Sequence, residues 1–145
     1  MPEKETLERA EEDKREGKSP STQAGEFVHE EIEHIREGKH GARNTKQAIA
    51  IGLSKARRAG IKLPASKSAS KRTREQAARD TTRGRKAGSK KSSTRSRATS
   101  RALKREGRSA ASKAALSRQA RSAAAKRSAA SRSRSAKKAA ATRKK

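Results

Sequence analysis

The chain has 145 residues, 41 of them Lys or Arg against 15 Asp or Glu, which gives a net charge of +26. Apolar residues are only 28%, with one Phe and no Trp, Tyr or Cys, so the full length cannot bury enough apolar surface to offset the entropy of ordering it. That composition excludes a globular enzyme with an enclosed active site, sulfur-based metal sites, disulfides and a membrane-spanning run.

Charge is divided unevenly: residues 1–37 carry −6, residues 38–64 carry +7, and residues 65–145 carry +25. The start, Met1-Pro2-Glu3-Lys4-Glu5, lacks the apolar stretch of a secretory signal, and a Cys-free chain fits a reducing, cytoplasmic compartment. The expected architecture is mainly α: a helical head of two or three short helices over 1–64, then a low-complexity basic tail over 65–145.

In the head, Thr6 can cap a helix from Leu7 to about Glu16, stopped by Gly17. Ser19-Pro20-Ser21 reads as a turn. Thr22 then opens a second helix that runs to Glu37 and stops at Gly38, with Ala24, Phe27, Val28, Ile32 and Ile35 forming one apolar stripe. Lys39-His40-Gly41 reads as a loop. Asn44 or Thr45 caps a third helix through about Arg58, with Gly60 as its stop and Ile49, Gly52, Leu53 and Ala56 on one face. The run Ala48–Leu53 also alternates like a strand, but the cap and stop signals favour helix. Glu26, Glu30, Glu31, Glu33 and Glu37 make the second helix acidic. Lys46, Lys55, Arg57 and Arg58 make the third basic, so an antiparallel pair would attract. Ten large apolar residues, Leu7 among them, hold such a hairpin only marginally, which makes self-association of the head plausible.

The tail is different in kind. Its 81 residues include 28 Lys/Arg, 21 Ala, 16 Ser and 6 Thr, with Leu103 and Leu116 as its large apolar residues. Ala, Lys and Arg favour helix, but like charges at close spacing oppose it. The tail is therefore expected to be disordered or conditionally helical, ordering once phosphates neutralise it.

Catalytic and metal chemistry find little support. His29 and His34 are five apart, about 140° around a helix, and so cannot share a face as the zinc-protease pair does. Gly84-Arg85-Lys86-Ala87-Gly88-Ser89-Lys90 lacks the spacing of a phosphate loop and the strand before it. The carboxylates of residues 3–37 read as a solvated helix face, with no pocket to shift them. No catalytic residue, cofactor or metal ligand is assigned.

A polyanion is the expected partner. Duplex DNA presents one phosphate charge per about 1.7 Å, and each engaged cation releases condensed counterions. The nominated contacts are Lys55, Arg57 and Arg58 in the head. In the tail they are Lys71, Arg72, Arg74, Arg83, Arg85, Lys86, Lys90, Lys91, Arg95, Arg97, Arg101, Lys104, Arg105, Arg108, Lys113, Arg118, Arg121, Lys126, Arg127, Arg132, Arg134, Lys137, Lys138, Arg143, Lys144 and Lys145. With no rigid element to deliver side chains to base edges, binding is expected to ignore sequence. Single-strand binders interleave aromatics for base stacking, and this tail has none, so duplex DNA is favoured over RNA. The rival readings are an RNA- or ribosome-associated basic protein, and a protein-interaction module with a solubilising tail. A membrane-surface role would need a bulky apolar face, and no small-molecule substrate is indicated.

From Gly38-Lys39 and Thr45-Lys46-Gln47-Ala48-Ile49-Ala50-Ile51-Gly52-Leu53-Ser54-Lys55-Ala56-Arg57-Arg58-Ala59-Gly60, the chain resembles a family of short, basic bacterial proteins of unknown function. The likeness spans about residues 26–63 and implies a bacterial cytoplasmic protein with no established activity. By composition, residues 65–145 are similar to linker-histone tails and to the tails of bacterial histone-like proteins. Together with the charge argument, the leading expectation is a histone-like, nucleoid-associated DNA-binding protein.

Overall fold

The structure, a computed structural model, describes residues 1–86 and 90–144. Its elements are α1 (Lys4–Arg15), α2 (Pro20–Arg36), α3 (Thr45–Arg58), α4 (Lys71–Arg85), α5 (Ser93–Lys104), a 3-10 turn (Ser109–Ala111), α6 (Lys113–Ala125) and α7 (Ala129–Arg143). The expectation of a small helical head with a disordered or conditionally helical tail is overturned, because regular helices continue almost to the C-terminus. The physical reason is capping. Ser70, Ser92, Ser112 and Ser128 each precede a helix, and each hydroxyl accepts from the backbone N–H three residues on. One such cap is worth about 1 kcal/mol, and it adds to the high helix propensity of Ala, Lys and Arg. The Ser-rich composition that reads as low complexity therefore places helix starts. The stretch Gly84–Lys90 lies partly outside the described residues.

The core is an α2–α3 hairpin. Ala48 clusters with Ile32 and Ile35, while Ala56 clusters with Ala24 and Phe27, so the two helices run antiparallel. Between them Gly52 meets Val28 closely: a Cβ on Gly52 would stand 2.7 Å from the Val28 Cα. Ala48, Gly52 and Ala56 are buried, whereas Ile49, Ile51 and Leu53 are half-buried. Of the expected face, Gly52 and Ala56 are buried and Leu53 packs beside them, and the seam turns toward Ala48 in place of Ile49. Gly17, Gly38 and Gly60 adopt φ of 74, 79 and 102°, the left-handed geometry that ends a helix at little cost in glycine.

Two starts differ from the sequence expectation. Ser19 caps α2 and Pro20 is its first residue, where a missing N–H costs nothing; the expected turn is the cap itself. α1 begins at Lys4, and Thr6, Ala10 and Asp13 face inward while Leu7 is exposed. Leu7 therefore lies at the margin of the packing, 38% exposed, and Thr6 is a packed residue instead of a cap.

The division at residue 64 is crossed twice. α4 lies on α3, with Asp80 fully buried and the Arg58 Nε 2.8 Å from its Oδ1. Further on, Ala110 and Ala111 are buried with Ile32, Ile35, Ala42 and Ala48, and Leu116 packs beside them. The Thr45 hydroxyl donates to the Ala110 carbonyl at 2.7 Å, and the Arg36 Nε donates to the Ala111 carbonyl at 3.1 Å. The amides of Gly41 and Ala42 donate to the carbonyls of Leu103 and Gly107. α5 and α7 bury no residue.

Candidate nucleic-acid interface

Two electrostatic environments arise from this fold. Inside the hairpin, cations are consumed by acids. The Lys55 Nζ lies 2.7 Å from Glu31 Oε2 and 3.4 Å from Glu30 Oε1, with both carboxylates buried. The acidic-against-basic attraction read from α2 and α3 is carried by this one lysine. Burial pushes the Glu30 carboxyl up, but the Thr6 hydroxyl, the Glu3 amide and Lys55 outweigh it and hold it below its ordinary value. Hydrogen bonds from His34 and Lys39 hold Glu3 low as well.

This places the three nominated head cations inside the molecule's own contacts. Lys55 is paired as described. Arg57 is buried and its Nε donates to the Leu63 carbonyl at 2.8 Å. Arg58 holds Asp80. Outside the hairpin the pattern reverses. The nominated cations from Lys71 to Lys144 are all exposed, and Lys145 lies outside the described residues. Among the described residues from Lys90 onward, no Lys or Arg takes part in an ion pair. Arg108 donates to the Arg36 carbonyl and Arg127 reaches Ser131 and Ser135, but neither gives up its charge.

One open groove of about 540 Å³ brings α3 and α6 together. Arg43, Lys46 and Arg118 line it, along with the caps of both helices, Asn44 and Ser112. Helix N-termini favour anions through their free N–H groups and dipole. Arg43 and Lys46 are absent from the nominated cations, because they belong to the short basic stretch around a cap instead of a long charge run. The sequence does carry a signal for them: an Asn cap flanked by two cations.

A second cluster escapes the sequence reading entirely. Glu31, His34 and His40 present one ligand atom each within 4.8 Å of one another. The pair excluded on angular grounds, His29 and His34, is a different one, since His29 is exposed and His34 meets His40 from the following loop. The readable clue is Glu31, which sits four residues after Phe27 and four before Ile35, on the apolar stripe itself.

Among the described residues no helix is long and apolar enough to cross a membrane. Residues 14–67 match a family of unknown function (DUF6496), over ground that includes α2, the His40 loop and α3. No curated protein and no solved structure matches the chain.

Proposed function

We propose that this protein binds nucleic acid without regard to sequence, duplex DNA ahead of RNA, as a histone-like, nucleoid-associated protein that neutralises phosphates. The observation that carries this reading is the contrast between the two environments. Among the nominated head cations Lys55 and Arg58 are paired with buried acids and Arg57 with a carbonyl, whereas those on α5 to α7 project into solvent unpaired. Holding so many like charges on ordered helices is a standing repulsion that a polyanion relieves. The groove between the caps of α3 and α6 offers one place where a phosphate meets both charge and backbone N–H groups. Indifference to sequence is expected of α5 and α7, which bury nothing and so present no rigidly held side chain to a base edge. The lack of aromatics beyond Phe27 removes base stacking, which is why RNA single strands rank lower.

The test is a fluorescence-anisotropy titration against duplexes of unrelated sequence at several salt concentrations. With about ten phosphates engaged, log K falls against log salt with a slope near −9, alike for every sequence. A flat salt dependence sinks the mechanism. Tighter binding to single-stranded RNA of the same length would move the partner to RNA.

A further inference from the structure

We infer that Glu31, His34 and His40 form a binding site for one divalent transition-metal ion of the zinc class. Each residue offers one atom within 4.8 Å of the others, and the hydrogen positions leave Glu31 Oε1, His34 Nδ1 and His40 Nε2 as those ligands. Imidazole with carboxylate suits zinc and its neighbours in that series, and three protein ligands with a fourth position left for water is a known zinc arrangement.

The case rests on the protons. His40 Nδ1 is 3.0 Å from the Gly41 carbonyl, and a carbonyl only accepts, so Nδ1 carries the hydrogen. In the neutral ring the Nε2 then holds a lone pair, and Glu31 Oε1 lies 3.1 Å away but off the hydrogen-bonding direction. An ion on the Nε2 axis would meet that oxygen as a second ligand. His34 repeats the arrangement. Its Nε2 lies 2.9 Å from Glu3 Oε1, which as a carboxylate accepts the hydrogen, leaving the lone pair on Nδ1. A histidine whose outer nitrogen donates to a carboxylate or a backbone carbonyl is oriented as metal-ligating histidines are.

Glu31 supplies the independent observation. Its side chain is fully buried, yet neither carboxylate oxygen accepts a hydrogen bond of acceptable geometry. Lys55 approaches Oε2 at 2.7 Å and His40 approaches Oε1 at 3.1 Å, so the charge is answered while the lone pairs are not. With Lys55 on Oε2, the carboxylate offers the metal one oxygen. A rival cation is a proton making His40 an imidazolium that pairs with Glu31.

Chain connectivity shows what such an ion would do. Glu31 and His34 come from consecutive turns of α2, and His40 from the loop that leads to α3. Glu3, the partner of His34, lies at the start of α1. The ion would clamp the loop onto α2 and lock α1 through Glu3, a structural closure with no reaction attached.

The experiment is isothermal titration of the chelator-treated full-length protein with Zn²⁺, together with the visible absorption of bound Co²⁺. One equivalent is expected to bind, lost in His40→Gln and in His34→Gln and unchanged in His29→Gln. Glu3→Gln, which removes only the outer partner of His34, should weaken binding about 10–100-fold. Circular dichroism confirms that each variant is folded, and His40→Gln, a change in a loop, guards against a fold failure in Glu31→Gln. Absence of stoichiometric binding, or binding that His40→Gln and Glu31→Gln both leave intact, overturns the inference and assigns the cluster to a His40–Glu31 ion pair. Metal binding is read without nucleic acid, so this result stands or falls apart from the DNA titration.

Discussion

Gly25 and Gly52 provide an internal comparison that isolates one packing contact. Both lie inside helices, α2 and α3. Replacing glycine by alanine in a helix interior gains about 0.8–1.0 kcal/mol from propensity alone, and that gain should be similar at the two sites. Their surroundings differ. Nothing lies within 4 Å of a Cβ built at Gly25, whereas at Gly52 the methyl would stand 2.7 Å from the Val28 Cα and 3.0 Å from the Val28 N. Backbone cannot swing aside as a flexible side chain can, so α2 and α3 must move apart or tilt. Overpacking of this kind costs about 1–3 kcal/mol. Gly25→Ala should therefore raise stability by up to about 1 kcal/mol, and Gly52→Ala should fall about 1–3 kcal/mol below it. The assay is urea unfolding followed by circular dichroism at fixed salt, with an unchanged denaturant slope as the check that the same transition is compared. Should the two alanine variants be stabilised equally, the close α2–α3 crossing is wrong, and the antiparallel hairpin built on it must be redrawn.

Three further outcomes are expected from the same geometry. Arg58→Ala leaves the fully buried Asp80 with the Gln76 amide but without its ion-pair partner; because Arg58 is itself half-exposed, the loss should fall between the roughly 1 kcal/mol of a surface pair and the roughly 3–5 kcal/mol of a buried one, and an unchanged melting temperature would mean α4 is not docked on α3. Truncation after Arg127 removes α7, which buries nothing, so the melting temperature should hold; the seven cations lost should make the log–log salt dependence of DNA binding shallower by as much as about 6, and an unaltered slope places the contact elsewhere. Glu30 has a folded-state value held below its ordinary 4.5, so its share of stability is present above that pH and is lost as pH falls through the lower folded value. With chelator present, thermal melts of Glu30→Gln should therefore decline less steeply below about pH 4.5 than those of the wild type, and parallel curves would remove Glu30 from the acid transition.

The stops of α1 to α3 are legible in the sequence because Gly17, Gly38 and Gly60 sit where a left-handed residue is needed, and the α2 stripe is legible because Phe27, Ile32 and Ile35 are bulky. The face of α3 is legible in part. Gly52, Leu53 and Ala56 lie on the expected side, but periodicity weighs Ile49 above Ala48, whereas close helix approach selects the smaller residue. The tail misleads for a related reason. Serine counts as polar filler in a composition, but Ser70, Ser92, Ser112 and Ser128 act singly, each satisfying an N–H that would otherwise be free. Ala110 and Ala111 give no hydrophobic signal among so many alanines, and only the backbone path of residues 103–111 brings them onto Ile35. The Glu31–His34–His40 cluster is hidden because His40 lies beyond the helix whose periodicity points to the other two. The exposed cations from Lys71 onward are readable from charge alone, while the internal duty of Lys55, Arg57 and Arg58 depends on the positions of Glu31, Leu63 and Asp80.

The seat of Ala110 and Ala111 in the core also limits distance. A polycation free from residue 65 could sweep about 120 Å even as a continuous helix. With Ala111 pinned and α6 held beside it through Leu116, the leash shrinks to residues 126–144, which extend about 30 Å as helix. Earlier in the chain, α4 is held on α3 through Arg58 and Asp80, and the end of α5 is held by the amides of Gly41 and Ala42. Under the proposed function, the reach toward a polyanion is therefore set by α7, and any two duplexes bridged must already lie nearly side by side.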